Sequence, residues 1–320
     1  MKFERVVITG GAGFIGSHLC EHFVDMGVHV VCLDNFSTGG WENVEPLLSS
    51  GRLEVKSVDV SEECDVSGPV DAVLHFASPA SPVDYLRMPV ETMKVGSLGT
   101  FHALDLARRK GARFLFASTS ETYGNPQVHP QPESYWGHVN PVGPRSVYDE
   151  AKRFSEALTM AHRRSYGIDA AVIRIFNTYG PRMRRADGRA IPTFIAQALS
   201  GDPITIAGTG SQSRSFCYVD DLVSGIAAML GSKEPGPINL GNPHEMTVAQ
   251  MAVLIKELTG SESPVVFVDR PQDDPDLRRP DISAAKNLLG WSPAVSLDIG
   301  LKRTIAWFQR PGAVADRQLV

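Results

Sequence analysis

Three short segments carry residue types that could do chemistry together. Thr119-Ser120-Glu121 offers two hydroxyls and a carboxylate in consecutive positions. Tyr148 and Lys152 stand at i and i+4 in a stretch with helical spacing, so both fall on one face. Gly11-x-Gly13-x-x-Gly16 lies close to the N-terminus, within Thr9-Gly10-Gly11-Ala12-Gly13-Phe14-Ile15-Gly16. The glycine segment suits a dinucleotide and the Tyr–Lys pair suits oxidation of a hydroxyl. The triplet governs the step after oxidation, which we read as loss of a carboxylate.

An ordinary tyrosine has a pKa of about 10 and is a poor base at neutral pH. A nearby ammonium and a cationic nicotinamide would both favour phenolate. Tyr148 could then take a proton from a sugar or alcohol hydroxyl as hydride leaves to NAD. Alone, the pair would read as an exposed Tyr–Lys contact; behind a dinucleotide loop it reads as catalytic. Thr119 could hydrogen-bond the same hydroxyl, and Glu121 could act as base or charge partner at the neighbouring carbon. Arg174, Arg182, Arg214 and Arg278 could meet phosphate or carboxylate oxygens as bidentate forks.

The elements that must position these groups alternate. Residues 3–9, 28–33, 53–58, 72–76, 113–118 and 170–176 read as strands. Helical patterns fall at 14–26, 90–109 and 147–166, the first two stopping at Gly27 and Gly111. Such alternation predicts an α/β fold, a doubly wound parallel sheet of Rossmann type. The glycine loop then sits between a strand and a helix, where backbone N–H groups and the helix dipole receive a pyrophosphate. The triplet follows the 113–118 strand at its carboxyl end, where such sheets bind ligands. Asp34 ends the second strand, suited to adenosine ribose hydroxyls, and residues 35–45 hold no Arg or Lys for a 2′-phosphate. NAD is therefore expected over NADP. Asp59 suits either the adenine edge or a helix cap.

Beyond Asn177 the loops lengthen. Residues 204–207 and 215–219 read as short strands, 220–230, 248–258 and 282–289 as helices, and 269–280 as a charged, proline-rich loop. This predicts a smaller, partly interleaved α/β substrate domain. The division is 1–176, rejoined by about 215–243, for the cofactor, and 177–214 with 244–320 for the nucleotide sugar.

The 320 residues are 21% charged and 42% hydrophobic, with net charge −5 and a pI near 6.0, so no nucleic-acid surface is expected. Cys20, Cys32, Cys64 and Cys217 show no metal-ligand spacing and read as buried small hydrophobes. No apolar run is long enough for a membrane span or a signal-peptide core, which points to a cytoplasmic protein.

With these motifs the chain resembles the extended short-chain dehydrogenase/reductase family. The likeness runs through Asp34-Asn35-Phe36, His75-Phe-Ala-Ser-Pro-Ala-Ser-Pro82, Ala117-Ser-Thr-Ser-Glu-Thr-Tyr-Gly124, Tyr135-Trp-Gly-His-Val-Asn-Pro141, Tyr148-Asp-Glu-Ala-Lys-Arg153, Phe176-Asn-Thr-Tyr-Gly-Pro-Arg182 and Gln272-Asp-Asp-Pro275. The Ser-Pro-Ala-Ser-Pro and Tyr-Trp-Gly-His-Val-Asn-Pro segments are similar to the branch that decarboxylates UDP-glucuronate. The resemblance implies that NAD is bound by Gly10, Gly13, Phe14, Ile15, Gly16, Asp34, Asn35, Ser37, Thr38, Gly39, Asp59, Val60, Phe76, Ala77, Ser78, Ala117, Tyr148, Lys152 and Thr178. It implies UDP-sugar contacts from Ser81, Lys94, Asn177, Arg182, Arg214, Tyr218 and Arg278, with Arg214 at the carboxylate end. It implies catalysis by Tyr148, Lys152, Thr119, Ser120, Glu121 and Arg214 through a 4-ketone that loses carbon dioxide, giving UDP-xylose. A homodimer formed by the helices at 90–109 and 147–166 is implied as well.

Gly96, Thr122, Ala151 and His102 depart from residues common in the family, and Glu62–Val66 matches poorly. A 4,6-dehydratase would want an acid where Ser120 stands, and a 4-epimerase needs a sugar free to rotate. A non-catalytic NAD-binding protein would not need Thr119, Tyr148 and Lys152 together.

Overall fold

The computed structural model describes residues 3–310. The sequence-based domain division extends beyond them at both ends, to 1–2 and 311–320.

The first half alternates as expected. Strand β1 (Arg5–Thr9) runs into helix α1 (Phe14–Asp25), then β2 (His29–Asp34), β3 (Leu53–Ser57) and β4 (Ala72–His75). Two short helices, α2 (Pro82–Arg87) and α3 (Pro89–Lys94), precede α4 (Thr100–Lys110); β5 (Arg113–Thr119), α5 (Ser146–Tyr166) and β6 (Ala170–Ile175) follow. Together with Ile238–Leu240 the strands form a seven-stranded sheet in the order Ile238–Leu240, β6, β5, β4, β1, β2, β3, with every pairing parallel.

Apolar side chains along each strand alternate between the two faces. Val6, Ile8, Val30 and Cys32 join one buried cluster; Val7, Val31, Leu33 and Val73 join the other. Burial on both faces explains why these strands read as unbroken apolar runs. Strand order reverses between β1 and β4, so a crevice opens above their carboxyl ends, where ligands bind in doubly wound sheets.

The single helix expected at 90–109 is broken. A π-helical segment, Val95–Gly99, separates α3 from α4 and carries Gly96 and Gly99. Gly96 lets α5 come close: a Cβ there would stand 2.6 Å from Ala151 Cβ. The departures at 96 and 151 are therefore one packing arrangement, with a small residue on the partner of a larger one.

In the second half, Ile204–Ala207 pairs with Val265–Val268. The strand expected at 215–219 is instead two, Ser213–Ser215 and Cys217–Tyr218, which belong to different sheets; a helix already begins at Val219. The loop expected at 269–280 contains a strand, Leu277–Arg278, paired in parallel with Ser213–Ser215 so that Arg278 lies beside Arg214. Helices Ala190–Ser200, Val248–Thr259, Ser283–Leu289 and Leu297–Phe308 also belong to this half.

Candidate active site

A cleft of about 800 Å³ lies across the carboxyl ends of β1, β4, β5 and β6 and reaches the second half of the chain. The glycine loop forms one wall. Gly10 has φ +69°, and a Cβ on it would stand 2.7 Å from the Ala77 nitrogen; one on Gly16 would run into the Gly10 carbonyl. Gly13 caps α1 without any side-chain hydrogen bond, so the first N–H groups of the helix remain available. These are the features a pyrophosphate needs.

Asp34 is buried beside the loop. Its Oδ2 accepts the Ala12 N–H at 2.9 Å and its Oδ1 accepts that of Phe36 at 2.8 Å. Burial raises its pKa, and these backbone donors oppose the rise. Asn35, Ser37, Thr38, Val60, Phe76, Ala77 and Ser78 line the same arm of the cleft, and Gly39 stands behind the Asp34 carboxylate. Asp59 lines it too, while capping a turn: its Oδ1 accepts from Ser61 N at 2.9 Å and Ser61 Oγ at 2.7 Å.

Tyr148 and Lys152 meet the triplet at the centre, as their spacing on α5 requires. The Lys152 ammonium donates to the Ala117 carbonyl at 3.0 Å and lies 5.7 Å from the centroid of the Tyr148 ring. Desolvation lowers its pKa to about 7. Burial pushes the Tyr148 phenol up to about 12, with Thr119 pulling the other way. In the protein alone, burial prevails over the groups that favour phenolate.

Thr119 ends β5, and its hydroxyl caps the turn Ser120–Tyr123 by accepting the Glu121 N–H. Glu121 is an ion-pair hub. Its Oε2 meets Arg145 at 2.6 Å and Arg278 at 3.2 Å. Burial would raise its pKa, but the charges of Arg278 and Arg145 prevail and hold it near 2. Arg278 is 1% exposed and also donates to the carbonyls of Ser120 and Gly124. Burial lowers its own pKa. Arg214 lines the cleft next to it but is engaged by Asp274, at 3.0 and 3.1 Å.

Ser81, Lys94, Ala117, Asn177 and Thr178 also line the cleft. Three expected substrate contacts lie elsewhere: Arg278 is buried behind the triplet, bonded to Ser120, Glu121 and Gly124. Arg182 turns to α1 and pairs with Glu21 at 2.6 Å, and Tyr218 is buried against Tyr179 and Arg303. Arg174 binds Glu156 beneath the sheet end rather than entering the cleft.

Three contributors escaped the sequence reading. Arg145 stands just before α5 and grips Glu121. Tyr85 stacks on Tyr148, ring centroids 5.2 Å apart and 9° from parallel. Arg189 lines the cleft, bound to Asp187 at 2.5 and 2.7 Å. Position relative to Tyr148 could have drawn attention to Arg145; nothing local marks the other two. Among the departures from family pattern, Thr122 donates to the Thr119 carbonyl at 2.8 Å and stiffens the triplet turn. His102 bonds the Val60 carbonyl at 3.0 Å, and Arg109 pairs with Asp65 at 2.9 Å, so α4 anchors the poorly matching 62–66 segment.

Among known proteins, the chain is 49% identical to a UDP-glucuronic acid decarboxylase 1 of Xenopus tropicalis over 96% of its own length and 72% of the other's. It is 48% identical to a UDP-glucuronic acid decarboxylase 1 of Arabidopsis thaliana, over 96% and 70%. A UDP-glucose 4-epimerase of Thermotoga maritima, solved with UDP-glucose, superposes with a TM-score of 0.86 at 30% identity over 95% of this chain and 98% of that one. A dTDP-glucose 4,6-dehydratase of Streptomyces venezuelae, solved with NAD bound, gives 0.86 at 28%, over 95% and 96%. Residues 6–241 match the model of the NAD dependent epimerase/dehydratase family, and with that span covering most of the chain, the glycine loop and the Tyr–Lys pair included, the chain belongs to this family.

Proposed function

We propose that the chain is an NAD-dependent decarboxylase that converts UDP-glucuronate to UDP-xylose. The observation that carries this reading is the Thr119-Ser120-Glu121 turn, with a serine in its centre and its glutamate fixed as a carboxylate between two arginines. The relatives that share about half of its sequence and bear the decarboxylase name support it.

NAD supplies the hydride acceptor at C4 and, at the end, the donor. Tyr148 takes the C4 hydroxyl proton, with Thr119 holding the same oxygen. Lys152 steadies the tyrosine side of the cleft and, with a pKa near 7, can carry a proton at neutral pH. The 4-ketone is β to the C6 carboxylate, so carbon dioxide leaves with its bonding electrons passing into an enolate. That step needs no acid on the carboxylate, which is why Ser120 suffices where a dehydratase would need a proton donor. Arg214 orients the carboxylate by exchanging Asp274 for it, and a pinned sugar does not turn over as epimerisation demands. Glu121 holds its charge too firmly to relay the C5 proton. Arg214, which lines the cleft, helps supply that proton.

On this reading residues 1–176 with about 215–243 serve the cofactor, and 177–214 with 244 onward serve the nucleotide sugar; the return of Ile238–Leu240 to the large sheet supports it. The working unit is a homodimer. Leu98 and Phe101, and Phe154 on α5, leave large apolar surface in water that a second copy would cover. The four described cysteines are free and buried, which fits a reducing cytoplasm. Among the described residues no helix is long and apolar enough to cross a membrane.

The test is product analysis by NMR with NAD and UDP-glucuronate, and separately with UDP-glucose. Carbon dioxide and UDP-xylose are expected from the first and no dehydration from the second. UDP-galacturonate, or a 4-keto-6-deoxy sugar, as main product would overturn the reading.

A further inference from the structure

A buried row of polar side chains crosses the molecule beneath the cleft. Thr9, the last residue before the glycine loop, accepts the N–H groups of Phe76 and Ala77 on its hydroxyl oxygen, each at 3.2 Å. The same hydroxyl meets His75 Nδ1 at 2.7 Å. His75 Nε2 meets the Thr100 hydroxyl at 3.2 Å, which donates to Ser155 Oγ at 3.1 Å. Ser155 reaches the carbonyls of Gly96 at 2.5 Å and Ala151 at 2.8 Å. None of these four side chains is more than 1% exposed.

The direction of every bond follows from what each atom can do. Carbonyls only accept, so the Ser155 O–H donates to them and its oxygen receives the Thr100 O–H. The Thr100 oxygen must then accept from His75 Nε2–H, which leaves Nδ1 as an acceptor. At the other end, the Thr9 hydroxyl oxygen accepts the Ala77 N–H and shares the Phe76 N–H with the Thr9 carbonyl, and its O–H donates to the bare Nδ1. His75 is therefore neutral and carries its proton on Nε2. Deep burial and the Lys152 charge hold it in that form, with a pKa near 3.

We infer that His75 is a positioning residue for the redox step: through the ordered row Thr9–His75–Thr100–Ser155 it holds the Tyr148–Lys152 turns of α5 at a fixed distance from the glycine loop. One end fixes Phe76 and Ala77, which line the cofactor arm. The other fixes α5 at Ala151 and Ser155 together with the Gly96 carbonyl of the π segment, where Gly96 and Ala151 already touch. A shift of α5 along this contact would move Tyr148 relative to a bound nicotinamide. The inference rests on Tyr148 and Lys152 carrying out oxidation at C4.

Two measurements test it. Thr100→Val cuts the row beyond His75 at nearly constant volume, and Thr100→Ser restores the hydroxyl. Expected for Thr100→Val is a fall in kcat of about 10–100-fold, the scale of a small misplacement of reacting groups. KM for UDP-glucuronate and affinity for NAD should stay close to wild type, and Thr100→Ser should recover most of kcat. A normal kcat with only a lowered melting temperature would mean a merely structural row and would overturn the inference. Nitrogen NMR of ¹⁵N-histidine-labelled wild-type protein reads the tautomer without any need for turnover, and so decides the matter if Thr100→Val does not fold. A protonated Nε2 with bare Nδ1 is required; the opposite tautomer sinks the inference. Wild-type protein that binds NAD yet leaves UDP-glucuronate unchanged would instead overturn the proposed reaction, with the tautomer still measurable.

Discussion

At the glycine loop, Gly10, Gly13 and Gly16 lie within two turns of chain, and Asp34 reaches them from the adjoining strand through the Ala12 N–H. At the triplet, Glu121 is held by Arg145, 24 residues away, and by Arg278, 157 residues away. The first site is built from backbone: N–H groups, a helix end and the absence of Cβ atoms. The second is built from long charged side chains that only the finished fold brings together. Backbone sites tolerate little change of residue but need few partners. Side-chain sites can be retuned one residue at a time. That difference lets one cofactor cradle serve chains that superpose closely yet bear the names of epimerases and dehydratases.

The sharpest way to separate the two sides is to remove the group that faces both. Tyr148→Phe deletes only the phenolic oxygen, leaving the ring to stack on Tyr85. Turnover should fall by about 10²–10⁴-fold, the usual value of a positioned acid–base group. NAD and UDP-glucuronate should still bind, as titration calorimetry would read. Near-normal turnover would remove Tyr148 from the mechanism.

Glu121→Gln acts on the sugar side alone. It leaves Arg145 and Arg278 without their shared anion and should slow product formation by roughly 10–100-fold, the scale of a lost charge-assisted contact of about 1.5–3 kcal/mol. NAD affinity should not move. If NAD binding weakens in parallel with turnover, the two sides are coupled more tightly than their construction suggests.

This division also decides what was legible in the sequence. The parallel sheet, α1, α5, the glycine loop and Asp34 could be read because each depends on local spacing: apolar runs, i to i+4 pairs, glycines at fixed offsets. Arg145 and Tyr85 could not, because Glu121 and Tyr148, which they meet, are distant in sequence; Arg189 is bound to nearby Asp187, but that pair alone does not point to the cleft. The break in the helix at 90–109 was hidden for a related reason. Gly96 suits a helix poorly in isolation, and its purpose emerges only when Ala151 packs against it. Arg182 and Tyr218 were overread: both sit in or next to motif segments, yet their side chains turn to Glu21 and to Tyr179. The tyrosine's acidity was legible only in part, since spacing shows the lysine but not the burial that raises both groups' cost of charging.

On the cofactor side, Asp34→Ala should weaken NAD binding about 10-fold or more, the scale of a lost hydrogen bond to a charged group. NADP should lose less, because the carboxylate that repels its 2′-phosphate is gone. The variant also frees the N–H groups of Ala12 and Phe36, so a common loss from loop disorder is expected on top. The ratio of the two dissociation constants is therefore the quantity to measure. An unchanged ratio would remove Asp34 from cofactor choice.

The smallest effect is expected in stability, and it has the opposite sign. Lys152 keeps its amine buried with a pKa near 7 against about 10.5 in an unfolded chain. Between these values the unfolded state binds the extra proton, so stability rises with pH across that window. Below pH 7 the protein carries the full cost of a buried ammonium, eased by the Ala117 carbonyl and the faces of the Phe116 and Tyr148 rings. Lys152→Met keeps the length and apolar body of the side chain and removes the charge. Without NAD, its melting temperature at pH 6 should exceed that of the wild type by roughly 2–4 °C, the change that about 1 kcal/mol produces in a protein of this class. The advantage should shrink as pH approaches 10, where the wild-type lysine is neutral in both states. Calorimetry at pH 6, 8 and 10 reads this directly. A Lys152→Met protein less stable than wild type at pH 6 would mean that the ammonium is compensated in place, and that the sugar side and the cofactor side both draw on a charge the protein holds at no cost.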